Sequence, residues 1–334
     1  MSEQAFERAQ RAQLKRRARI VDDTEKEVRA LLARALEKIM AVLADAPSDY
    51  QLWSLPRLAE EIGRVGAELG DAAVVAPARG IVEAWRAGGE LVTEPLAEIL
   101  DPRGAVRIAG IAPRLDDGVL MAMRHFMADR MKDVSLKAAN AINGELGLVV
   151  IGAQSPWDAQ QAIQRILKET SASRAATIVR TELQRVYAVA GQRSLAAAAE
   201  AGAPMDKVWR RSGKAHPRLS HAIADGQRVA WDKPFMIGGE PMMHPHDPKA
   251  SARNTVNCGC VAVPKPRDFA ATLPDHKPFT AEELARNPTL AAIATGKAAG
   301  EPTLRELLAR RGGNVDFAPG DQHRLGIPPA GRAG

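Results

Sequence analysis

Val28, Leu31, Leu32, Ala35, Leu36, Ile39, Met40 and Leu43 recur at intervals of three and four residues, drawing one apolar stripe along a helix. A single helix cannot bury such a face. The stripe requires a partner, within the chain or on another protein. Thr24 followed by Glu27 has capping-box spacing, with Asp22 and Asp23 just upstream, so the spacing predicts a helix start there. Pro47 fits the helix end. Before it, Arg8, Arg11, Lys15, Arg16, Arg17 and Arg19 face only Glu3 and Glu7, a net of +4 over nineteen residues.

The pattern continues downstream. Leu58, Ile62, Val65 and Leu69 predict another helix, and Ile81 to Trp85 a third. Pro77, Pro95, Pro102 and Pro113 divide residues 50–118 into short helices and loops. From Asp116, the spacing of Leu120, Met123, Met127, Met131, Val134, Ala138 and Ile142 predicts a long helix ending near Gly144 or Gly147. Its methionines suit an adaptable binding face or ordinary helix packing. Ser155-Pro156 is a helix-start pair, followed by Ile163, Ile166 and Leu167. A further helix is expected from about Arg174 to Gln192. Only 13 of the 334 residues are aromatic, so this packing rests on small aliphatic side chains.

Beyond Gly202 the pattern becomes irregular and then strand-like. Gly226 to Trp231 and Pro234 to Ile237 read as short strands, Gly238-Gly239 as a two-residue hairpin, and Val256 to Val263 as a strand holding both cysteines. From Pro264 to Gly334 there are nine prolines and little periodicity, which predicts an extended tail ordering against partners. Thr280–Arg286 and Leu304–Arg310 are its two helical pieces. The fold class expected is α+β. It comprises a basic N-terminus and amphipathic helix (1–47), a helical region (48–150), a small α+β domain (155–264) and the proline-rich tail (265–334).

Charge and cysteines narrow the function classes. A net charge of +6 favours polyanionic partners, with nucleic acid ahead of membrane. No apolar run reaches the ~18 residues that span a bilayer, and the first residues lack the apolar core of a secretion signal. Cys258 and Cys260 stand one residue apart; a disulfide between them would close a small strained ring, so a reducing compartment is expected. No Walker loop, nucleophile elbow or Rossmann fingerprint is present.

The densest cluster of unusual residues runs from Trp209 to Cys260. A helix carrying Arg180-Thr181-Glu182 comes first, then Trp209, Pro217-Arg218 with His221, Asp225-Gly226, Pro234-Phe235 and Asn257-Cys258-Gly259-Cys260. This order resembles the phage Mu F-like minor head proteins, the phage head morphogenesis family, over about residues 155–264. The family usually has arginine between the two cysteines; here it is Gly259. The resemblance implies a structural, non-enzymatic component of tailed-phage or prophage heads. Its expected partners are the portal protein, phage double-stranded DNA and a major capsid or scaffolding protein. Its expected place is the head interior near the portal vertex, after assembly in the host cytoplasm.

Residue chemistry adds three expectations. Between Arg174 and Lys233, eleven Lys/Arg stand against five Asp/Glu, which makes Arg210, Arg211, Lys214 and Arg218 candidate contacts to DNA phosphates. The scarcity of aromatics argues against a groove that stacks single strands. The two cysteines with His216, His221, His244 and His246 supply zinc-type donors. The candidate structural site is Cys258, Cys260, His221 and His244, with His246 as the alternative to His244. The competing reading makes the cysteines small core residues and the histidines hydrogen-bonding groups. His216, His221, Asp225, His244 and Asn257 could instead assemble a metal-dependent nuclease or phosphodiesterase site, an alternative whose spacing matches no nuclease motif.

Overall fold

The computed structural model describes residues 3–45, 55–100, 102–110, 117–214, 217–267 and 280–286. Long helices dominate: α1 (Glu3–Ala44), α2 (Leu55–Ala97), α3 (Pro102–Ala109), α4 (Asp117–Val150), α5 (Pro156–Arg165) and α6 (Ala172–Glu200). A π-helical turn, Ile166–Ser171, joins α5 to α6. Short elements follow: β1 (Met205–Arg210), α7 (Leu219–Ile223), β2 (Arg228–Ala230), β3 (Phe235–Ile237), β4 (Glu240–Met242), α8 (Ala252–Thr255), β5 (Val261–Pro266) and α9 (Ala281–Arg286). The fold is α+β, with the sheets confined to the C-terminal half.

Two expected boundaries are corrected. Thr24 starts no helix: it lies inside α1, buried, and its hydroxyl donates to the Ile20 carbonyl 2.8 Å away. Bonding back to position i−4 uses the oxygen that a cap would have offered. Pro77 and Pro95 do not divide residues 50–118 into short pieces, because α2 runs through both. A proline inside a helix costs about 3 kcal/mol. Burial of Ile81, Ala84, Trp85, Leu91 and Val92 along α2 offsets that cost. Pro102 instead occupies the first turn of α3, where its missing N–H is harmless. Pro47, Pro113 and the piece Leu304–Arg310 lie outside the described residues.

The chain divides into two compact units. One comprises Ala18–Ala84 and Leu115–Leu183, the other Met1–Arg17, Trp85–Arg114 and Gln184–Gly334. In the first, the apolar stripe of α1 finds its partner inside the chain. Ile39 and Leu43 pack with Leu58 and Ile62 of α2, Ile142 and Leu146 of α4, and Ile163 of α5. Met127 and Met131 are buried, so the methionine stripe is core. Ser155 caps α5 by accepting from the Asp158 N–H at 3.1 Å. The Arg180-Thr181-Glu182 element serves this packing. Arg180 forks onto Glu25 at 2.6 and 2.8 Å, the Thr181 hydroxyl donates to the Thr177 carbonyl, and buried Glu182 lies 3.8 Å from Arg130.

The second unit has a helical and a sheet part. Phe6 of α1, Val92 and Leu96 of α2, Ile108 of α3, Leu195 of α6 and Met205 of β1 share one core. At Gly88 a Cβ atom would lie 2.2 Å from the Tyr187 carbonyl oxygen, so only glycine permits α2 and α6 to approach there. The sheet has the order β2-β1-β5, all antiparallel, with Trp209 opposite Ala262 and Val208 opposite both Arg228 and Val263. Asp206 on the central strand bonds Arg228 at 2.8 Å and Arg267 at 3.0 Å. β3 and β4 form the hairpin expected at Gly238-Gly239, with both glycines at positive φ as a type I′ turn demands.

Candidate functional site

β1 places Trp209 beneath the irregular chain between α7 and β5. The indole is fully buried, edge-on to His221 at 5.5 Å and to Phe235 at 5.4 Å. Around it pack Ala224, Ile237, Met242, Cys258 and Cys260. α7 presents His221 from one side, and α8 ends just before the Cys-x-Cys turn on the other. The cysteines do not lie on a strand as expected. Residues 258–260 precede β5, and Asn257 reverses the chain with φ at +52°. Their sulfurs converge through this turn, because the Cys260 N–H points at Cys258 Sγ, 3.4 Å away.

Three donor atoms meet here. His221, Cys258 and Cys260, all buried, have ligand atoms within 4.8 Å of one another. Imidazole and thiolate together are the donor set of zinc. Cys260 donates toward Cys258, and that bond holds the Cys258 thiol well below the ordinary range. Burial, with the Cys258 charge behind it, pushes Cys260 well above it.

The other expected ligands take different places. The His244 Nδ1–H donates to the Pro245 carbonyl at 2.9 Å, and burial lowers its pKa. His246, the alternative, is 0% exposed and has no hydrogen-bond partner at either ring nitrogen. His216 lies outside the described residues. Among the described residues of the nuclease set, Asp225 and Asn257 are held by basic side chains. Asp225 accepts from the Arg211 backbone N–H at 2.8 Å and faces its guanidinium, while the Lys214 ammonium donates to the Asn257 backbone and side-chain oxygens.

The candidate DNA contacts are largely turned inward. The Arg211 side chain is 0% exposed and paired with Asp225, which turns it away from solvent. Arg218 donates to the Val256 carbonyl at 2.6 Å, and Lys214 holds Asn257, so both brace the turn before the cysteines. Arg210 is partly buried, and desolvation lowers its pKa.

Sequence reading missed two contributors. Arg17 of α1 donates to the carbonyls of Gly259 and Cys260 at 3.1 and 2.9 Å, bonds Gln184, and lies over the Tyr187 ring. Nothing local to Arg17 signals a contact 243 residues away. Asn254 of α8 faces the His221 Nε2 at 3.3 Å and donates to the Ile237 carbonyl at 3.2 Å. Gly259 stands where a Cβ would lie 2.6 Å from the Ser212 Cβ, so this turn has no room for a side chain.

Comparison with known proteins agrees on where the informative segment lies. A family model described as "Phage Mu protein F like protein" matches residues 152–263. A Bacillus subtilis (strain 168) protein, "Uncharacterized protein YqbB", is 40% identical over 95 residues, which are 27% of this chain and 30% of that protein. No solved structure matches the chain. Over the residues that carry Trp209, His221, Cys258 and Cys260, the chain is similar to the phage Mu protein F-like family, and that similarity points to phage head morphogenesis.

Proposed function

We propose that the protein is a minor head component of a tailed phage or prophage that acts by binding other head proteins at the portal vertex, next to packaged DNA. The observation that carries this reading is the match over 152–263 to the Mu F-like family. The residues of that motif order brace a turn and pair helices in this chain, which suits a structural role. No helix among the described residues is long and apolar enough to cross a membrane.

Two surfaces support the partners proposed. Around the junction of α4 and α5, Leu148, Val150, Ile151 (75% exposed) and Trp157 (66%) present large apolar side chains to solvent. Exposed apolar groups concentrated in this way mark protein-binding surfaces. On α1, Arg8, Arg11 and Lys15 are exposed and spaced at three and four residues, so they share one side of the helix. They are better placed than Arg211 to meet phosphates.

The test is co-expression of the full chain with the portal protein of the same phage, followed by purification of the portal ring. Co-purification that Trp157→Asp with Ile151→Asp abolishes, while leaving the fold intact, supports the reading. A chain absent from both portal rings and purified heads would overturn it. The DNA contact is checked by salt: affinity for duplex DNA should fall at least ~10-fold between about 50 and 200 mM salt if two or more phosphates are neutralised.

A further inference from the structure

Both cysteine sulfurs face one nitrogen. His221 Nδ1 lies 3.4 Å from Cys258 Sγ and 3.5 Å from Cys260 Sγ. Donors around a tetrahedral zinc ion, with Zn–S near 2.3 Å and Zn–N near 2.0 Å, keep sulfur and nitrogen about 3.5 Å apart. Hydrogen bonding accounts less well for the arrangement. The Asn254 amide nitrogen is engaged with the Ile237 carbonyl, which turns its oxygen toward His221 Nε2. The ring proton therefore sits on Nε2, and Nδ1 presents a bare lone pair. One lone pair cannot accept well from two thiols, but it can bind a metal that both sulfurs also bind. An amide fixing the far nitrogen is the usual outer support of a ligating histidine.

The fourth donor is already in the interior. His246 is fully buried, neither ring nitrogen has a hydrogen-bond partner, and its ring is close enough to act on the Cys258 thiol. Burying two unmatched polar atoms is costly. So is the backbone that delivers them, since His246 has φ at +64°, a region that side-chain-bearing residues avoid. A bound ion would engage one of the two nitrogens and so offset part of these costs.

We infer that His221 through Nδ1, His246, Cys258 and Cys260 are the four ligands of a structural zinc ion. On binding, each cysteine S–H bond breaks, two protons leave to solvent, and two Zn–S and two Zn–N bonds form. Two thiolates and two neutral imidazoles make the filled site electrically neutral, so the apolar shell around Trp209 encloses no net charge. Four protein ligands leave no open position for water, so the ion holds the turn and does no chemistry. Arg17, on the carbonyls of Gly259 and Cys260, and the Cys260 N–H, on Cys258 Sγ, stiffen the ligand turn from outside. His244 is not a ligand. The assignment stands independently of the head-assembly reading.

The experiment uses the full chain, purified without a histidine tag. Elemental analysis should return about one zinc per chain, and chelation should lower the melting temperature. Replacement by cobalt(II) should give tetrahedral ligand-field bands with charge transfer from two thiolates. His246→Ala should weaken zinc binding at least ~100-fold, whereas His244→Ala should leave it unchanged. His246→Cys should restore a tetrahedral cobalt site with charge transfer from three thiolates, which keeps the test decisive if the alanine variant does not fold. Three results would each overturn the assignment: a folded wild-type chain that takes up neither zinc nor cobalt, an octahedral cobalt spectrum, or wild-type affinity in a folded His246→Ala variant.

Discussion

The unit made of residues 18–84 and 115–183 and the sheet region around Trp209 reach stability by different means. In the former, aliphatic side chains from α1, α2, α4 and α5 make a continuous apolar core, and polar pairs such as Arg180 with Glu25 are partly buried beside it. In the latter, strands of three to six residues gather only a small apolar cluster around Trp209. Order there comes from side chains that bind backbone: Lys214 on Asn257, Arg218 on Val256, Arg17 on Cys260, Asn254 on Ile237. Apolar packing tolerates changes of shape with modest loss, whereas a directed bond is either made or missing.

The largest contrast is expected at Trp209. Trp209→Ala should cost about 3–5 kcal/mol, because the indole supports both His221 and Phe235. Chemical denaturation should show the loss, and hydrogen exchange should place it in β1, β5 and the cysteine turn. Exchange raised equally in α4 and α5 would break the distinction between the two regions.

A matched pair of small substitutions sharpens the comparison. Asn254→Ala removes two buried hydrogen bonds and should cost about 1–3 kcal/mol. Ile142→Val, in the helical core, should cost only about 0.5–1.5 kcal/mol. Equal losses in urea titrations of the two variants would contradict the difference in mechanism.

A pH-dependent contrast concerns buried Lys207. Its ammonium donates to Gln192 Oε1 at 3.0 Å and to the Met243 carbonyl at 2.6 Å, and lies over the Phe235 ring. Burial lowers its pKa from 10.5 to about 8. Between those values the unfolded chain keeps a proton that the folded chain has released. Lys207 therefore adds stability as pH rises through that window, by at most about 1.4 kcal/mol per pH unit, and nothing further above it. Comparing wild type with Lys207→Met should isolate this slope. A difference between the two proteins that is flat from pH 8 to 10.5 would show that the ammonium is adequately solvated by its partners.

These contrasts explain which features the sequence displayed. The stripe from Val28 to Leu43, the Ser155-Pro156 start and the Gly238-Gly239 hairpin are local patterns, and each appears where its spacing places it. Thr24-x-x-Glu27 misled because a capping box and an interior threonine bonding Ile20 share one local sequence. Pro77 misled because burial elsewhere along α2 outweighs a local penalty. His221, Cys258 and Cys260 were legible as donors from residue type. That the His246 ring rather than the His244 ring lies near the Cys258 thiol was not, since it depends on which ring a tight turn aims inward. Arg17 was invisible because its partners are created by the fold.

The bond from Arg17 to the Cys260 carbonyl also bears on how the protein is made. At typical rates of synthesis, roughly 10–50 s separate the emergence of residue 17 from that of residue 260. During that interval the early turns of α1 exist without the turn they will clamp, and β1 lacks β5 along one edge. The helical core around Ile62 and Ile142 needs nothing beyond residue 167 and can form while the ribosome is still working. The nascent chain thus has an ordered helical half before the site can close. The sheet edge of β1 is then the surface most exposed to mispairing and the first that a chaperone would need to shield.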